Sequence, residues 1–114
     1  MNSDKLSVIV QKMLGYCHDA QKYAIGKTYD EFVTDERSLV FSIFSLSQLG
    51  ELVALVDNYA QDRYSNIPWR ALKGLRNRIV HDYDGVQYKI IWHVIRNEVP
   101  ELMANLQEIL DDNG

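Results

Sequence analysis

The sequence predicts an all-α fold, an up-and-down bundle of four main helices with the last one broken near Pro100. Two observations carry that expectation. Apolar residues recur at three- and four-residue spacing through most of the chain, which is the period of one helix face. No segment alternates apolar with polar residues over the length that a half-buried strand needs.

Each element has its own justification. Leu6, Ile9, Val10, Met13, Leu14, Cys17 and Ala24 set a first helix over about residues 4 to 25, with Ser3 as the candidate cap and Gly26 at its end. Thr28 to Thr34 mixes polarity without a sustained period and is expected to be a connector. Asp35 then opens a long second helix whose apolar positions are Leu39, Val40, Ile43, Phe44, Leu46, Leu49, Val53 and Val56. Gly50 weakens that helix slightly but permits a neighbour to approach closely. Arg63 to Asn66 forms the next turn. Pro68 is tolerated at a first helical position, where its missing N–H would lack an internal partner anyway, so the third helix runs from about Pro68 to His81. Tyr83-Asp84-Gly85 breaks the pattern. Tyr88 to about Asn97 resumes it with Ile91, Val94 and Ile95, and Pro100 restarts it with Leu102, Leu106, Ile109 and Leu110.

Length and composition bound the rest. With 114 residues, 46% of them hydrophobic, the chain can bury one core and is read as a single domain over 1–114. Its one cysteine, Cys17, excludes an intramolecular disulfide and sits among apolar residues of the first helix, as a buried thiol does. His18, His81 and His93 share no ligand spacing with one another or with Cys17, so neither a metal nor a cofactor is expected. The N-terminus lacks the apolar core of a signal peptide and no run has the length to cross a bilayer. A cytoplasmic protein with no membrane partner is the expectation. Trp92-His93 reads as core or dimer surface rather than as chemistry.

Charge is unevenly placed. The net charge of −4 argues against broad, non-specific affinity for nucleic acid. Between Asp62 and Asp82, however, there is no acidic residue, whereas Arg63, Arg70, Lys73, Arg76, Arg78 and His81 all lie there. A local anion site on an acidic protein fits that distribution. Wound as a helix, the segment puts Trp69, Leu72, Arg76, Ile79 and Val80 on one stripe, and a guanidinium among large apolar residues has to be paired or reach water. Asn77 either orients groups beside Arg76 or is an ordinary exposed helix residue. Glu51 is a candidate internal partner for Arg76 or another cation.

The run Tyr64-Ser65-Asn66-Ile67-Pro68-Trp69, continued by Leu72-Lys73-Gly74-Leu75-Arg76-Asn77-Arg78-Ile79-Val80-His81-Asp82-Tyr83, resembles the signature of the HEPN superfamily. More narrowly it resembles the HepT-like toxin group (DUF86), with its Arg-x4-His-x-Tyr motif. Upstream, Gln48-Leu49-Gly50-Glu51 is similar to that group's Ile-Gly-Glu segment, although Gln48-Leu49 stands where a β-branched residue is usual. The likeness covers most of the chain.

The resemblance implies a metal-independent endoribonuclease, the toxin of a toxin–antitoxin module, with Arg76 and His81 as the catalytic pair. It further implies a homodimer in which the motif helices of two subunits form one composite cleft for RNA, with Asn77, Arg78 and Lys73 as auxiliary or phosphate-binding groups. Tyr83 would be the residue to which a cognate minimal nucleotidyltransferase antitoxin adds AMP, occluding the cleft. The alternative is a catalytically silent HEPN module that binds nucleotide or RNA as the partner subunit of a nucleotidyltransferase.

The chemistry itself is independent of the resemblance. Cutting RNA without a metal needs the 2′-hydroxyl deprotonated, the leaving 5′-oxygen protonated and the charge on the phosphorus oxygens stabilised. Histidine suits the first two tasks and an arginine fork the third. Five residues at 100° each leave Arg76 and His81 about 140° apart around one straight helix, so a single copy does not converge obviously on one phosphate. Two copies related by a two-fold axis could.

Overall fold

The computed structural model describes residues 1–81 and 87–113 and is helical throughout those residues, with no strand among them. The helices are α1 (Ser3–Lys22), α2 (Tyr29–Thr34), α3 (Glu36–Val53), α4 (Asn58–Arg63), α5 (Trp69–His81), α6 (Tyr88–His93) and α7 (Val99–Asn113). A π-helical turn over Val94–Glu98 joins the last two. The expected four-helix bundle is therefore α1, α3, α5 and the α6–α7 rod, with α2 and α4 as short additions. α3 is central, packing on α1 and on α5, and α7 packs on α1.

Caps fix where the helices begin. Asn2, not Ser3, caps α1, because its side chain accepts from the Lys5 N–H at 2.8 Å and Ser3 becomes the first helical residue. α1 ends at Lys22, earlier than its apolar pattern suggested: the N–H groups of Ala24 and Ile25 both turn back to the Gln21 carbonyl, and Gly26 takes a left-handed φ of 77°. Thr28 to Thr34, expected as a connector, forms α2 instead. Thr28 accepts from the Glu31 N–H while the Glu31 carboxylate accepts from the Thr28 N–H, a closed capping box that stabilises even a six-residue helix. Its one buried residue, Phe32, lies 5.2 Å from the half-buried Trp92 ring, so Trp92 belongs to the core side of α6 while His93 is exposed.

Asp35 caps α3 as expected, accepting from the Ser38 N–H and hydroxyl. Those bonds and Lys27 hold its carboxyl down at about 2. Two expected core positions of α3 are wrong. Val40 and Phe44 are exposed, because the face of α3 that meets its neighbours carries small serines, Ser38, Ser42, Ser45 and Ser47, all buried. Ser42 donates to the Ala20 carbonyl at 3.0 Å and Ser45 to the Phe41 carbonyl at 2.8 Å, which satisfies these hydroxyls inside the core. The helix stops at Val53, three residues short of Val56, which is buried in the turn beyond. Asp57 then caps α4, a helix with one buried residue and no legible period.

The core unites Val10, Met13 and Cys17 of α1 with Leu46 and Leu49 of α3, Leu72 and Ile79 of α5, and Leu106 and Ile109 of α7. Cys17 is fully buried, and desolvation pushes its thiol up to about 12, leaving it unreactive as a nucleophile. The interruption expected near Pro100 takes the form of the π-helical turn, where the Val99 N–H reaches back to the Val94 carbonyl. Single π turns of this kind occur within α-helices. Among the described residues no helix is long and apolar enough to cross a membrane.

Candidate functional site

The motif helix begins one residue later than expected: Pro68 contributes the first accepting carbonyl, to the Leu72 N–H, and Trp69 is the first helical residue. Trp69 anchors this end, its ring buried and its indole N–H shared between the carbonyls of Gln61 and Tyr64. Trp69, Leu72 and Ile79 are buried as the stripe required, but Val80 is about half exposed. The buried arc of α5 is thus narrower than five residues, since only α3 covers it closely.

Arg76 sits at the line where α5 crosses α3. A Cβ added to Gly50 would lie 2.4 Å from the Arg76 Cβ and 2.6 Å from the Leu72 carbonyl oxygen, so the two backbones meet at a place only glycine fits. The close approach delivers the next residue, Glu51, onto the guanidinium. Glu51 Oε1 accepts from Arg76 Nε at 2.9 Å and from Nη2 at 2.5 Å, while Asn77 Oδ1 accepts from Nη1 at 3.0 Å. The Arg76 side chain is 26% exposed and that of Glu51 45%. This explains a cation in an apolar stripe: it is paired and its head reaches water. Asn77 is half-buried and accepts a hydrogen bond from Arg76.

His81 is the last residue of α5 and is exposed. It lies four residues beyond Asn77, which lies four beyond the exposed Lys73, so the three share one edge of the helix. Asn77 links this edge to Arg76. Arg78 is exposed on another side, lining a cleft of about 500 Å³ between α5 and the α6–α7 rod together with Leu75, Ile90 and Val94. The structure therefore brings Arg76 and Asn77 together, sets Lys73 and His81 along the adjoining edge, and points Arg78 elsewhere. Tyr83 lies outside the described residues, as does the expected break at Tyr83-Asp84-Gly85. Of the other cations in the acid-free window, Arg63 is paired with Asp112 at 3.1 Å, and Arg70 is exposed. Among the described residues no group of three or more His, Cys, Asp or Glu side chains is placed to hold a metal ion.

The sequence left open whether Glu51 partners Arg76 or another cation. The signal was the Gly50-Glu51 pair itself: a glycine that allows helix contact, followed at once by an acid whose side chain reaches the guanidinium beside that contact.

A small helical bundle that holds an arginine by an acid from the neighbouring helix, with an exposed histidine ending the same motif helix, defines a HEPN-type module. The chain belongs to the ribonuclease HepT-like family, whose model matches residues 13–109. It is 32% identical over 101 residues, 89% of this chain and 90% of the relative, to a protein of Caldanaerobacter subterraneus subsp. tengcongensis provisionally named an RNase. It is 34% identical over 85 residues, 75% of this chain and 70% of the relative, to a provisionally named RNase of Methanocaldococcus jannaschii. A probable ribonuclease HepT of Thermococcus cleftensis is 24% identical over 81 residues, 71% of this chain and 74% of that protein. No solved structure matches the chain.

Proposed function

We propose that this protein is a metal-independent endoribonuclease, the toxin of a toxin–antitoxin module, which cuts RNA in a composite cleft built from Arg76 and His81 of two identical subunits. The observation that carries the reading is the oriented Arg76: a guanidinium gripped from behind by Glu51 and Asn77, beside the helix edge that ends in the exposed His81. Family membership supports the substrate class, since the relatives carry ribonuclease names.

In the cleft, one His81 takes the proton of the 2′-hydroxyl as that oxygen attacks phosphorus. The imidazolium so formed returns a proton, through water, to the departing 5′-oxygen. Arg76 donates to the non-bridging oxygens, where charge builds in the transition state, and Lys73 adds positive potential along the strand. Two subunits are needed because Arg76 and His81 of one helix diverge. A nucleotidyltransferase antitoxin neutralises the toxin by transferring AMP from ATP to the Tyr83 hydroxyl with release of pyrophosphate, and the phosphate of the adduct competes for Arg76.

The test is cleavage of RNA by the purified protein in EDTA, beside His81→Ala. Wild type is expected to cut and the variant to lose about a hundredfold to ten-thousandfold, the range of a missing general acid or base. RNA binding without cleavage by wild type would favour the silent partner-subunit alternative. Mass spectrometry after co-expression with a neighbouring nucleotidyltransferase is expected to find an AMP adduct on wild type and none on Tyr83→Phe.

A further inference from the structure

We infer that Glu51 is a positioning residue for Arg76, one that fixes which of its N–H groups face a phosphodiester; the inference rests on the ribonuclease reading for its activity readout. An arginine side chain has five N–H donors. Among the described residues Glu51 Oε1 occupies the Nε–H and one on Nη2, and Asn77 occupies one on Nη1. Two N–H bonds remain, one on each terminal nitrogen, which is the number that a bidentate grip on two phosphate oxygens uses.

The arrangement has a cost and a return. Glu51 offsets the charge that would attract RNA, so it weakens long-range attraction. In exchange it removes the rotational freedom of a long side chain, so the fork is aimed before the substrate arrives and little is lost per bond formed in the transition state. A surface ion pair retained for stability alone would be a poor explanation, because both partners are partly exposed and such pairs contribute little. Gly50 completes the device. Any larger residue there would push α5 off α3 and carry Arg76 away from Glu51.

The predicted signature separates positioning from folding and from proton transfer. Glu51→Ala is expected to lower kcat on a short RNA about tenfold to a hundredfold with KM changed less than about threefold, the scale of a misplaced group. Its melting temperature should move by less than about 8 °C, since the carboxylate is half exposed. Glu51→Gln keeps an accepting oxygen and is expected to recover most of the lost rate with an unchanged pH profile. Unchanged kcat in Glu51→Ala overturns the inference. So does a Glu51→Gln variant as impaired as alanine with the acidic limb of its pH profile gone, which would make Glu51 a base. A readout independent of cleavage is the Arg76 Nε–H signal in NMR: slow to exchange in wild type and in Glu51→Gln, fast in Glu51→Ala. If wild type cuts no RNA but this pattern holds, the ribonuclease reading fails alone; if the Arg76 signal is indifferent to Glu51, the inference fails alone.

Discussion

Gly50 and Arg76 bring α3 and α5 close together, with room between them for a hydrogen but not for a methyl group. The site depends on this contact. It sets the crossing of α3 and α5, and the crossing puts Glu51 within hydrogen-bond distance of the guanidinium.

Gly50→Ala is therefore expected to destabilise the protein by about 1–3 kcal/mol, the usual cost of overpacking, even though alanine is the better helix former by about 1 kcal/mol. The atoms it meets are a backbone carbonyl and a Cβ, neither of which can swing aside. Urea denaturation measures the loss. RNA cleavage should fall by more than the stability does, because the displacement falls on Arg76.

A second prediction concerns acid. The hydrogen bonds from Ser38, then Lys27, hold the Asp35 carboxyl at about 2, below its ordinary value of 3.8. A carboxyl lowered by folding stabilises the native state above its unfolded value, and that contribution is lost as pH falls through the folded one. The melting temperature should thus drop between pH 4 and pH 2, and drop less steeply in Asp35→Asn, which keeps a capping oxygen but has no proton to take up. Equal slopes for the two proteins would contradict the assignment.

The long helices were legible because each buries a sustained apolar stripe, and Asp35 was legible as a cap because it precedes such a stripe. α2 and α4 were not, since six residues with a single buried side chain give no period; for α2 the Thr28-x-x-Glu31 capping box was the available signal. Val40 and Phe44 misled for a different reason. They continue the apolar pattern of α3 on a side that no other element covers, while buried serines occupy the side facing α1. At the site, the motif run placed Arg76 and His81 on one helix that ends at His81. It did not say which acid would hold the arginine, because that depends on how α3 and α5 cross. Nor did it separate Arg78 from Arg76, whose two-residue offset turns them to different sides of α5.

The central claim is that Arg76 of one subunit works with His81 of the other, and mixing two inactive variants measures it most directly. Arg76→Ala and His81→Ala homodimers should each fail to cut RNA. Unfolded together and refolded, they form mixed dimers that restore one intact pair across the axis, so cleavage should return to a measurable fraction of the wild-type rate. Mixed dimers, verified by native mass spectrometry, that stay as inactive as either parent would contradict the account.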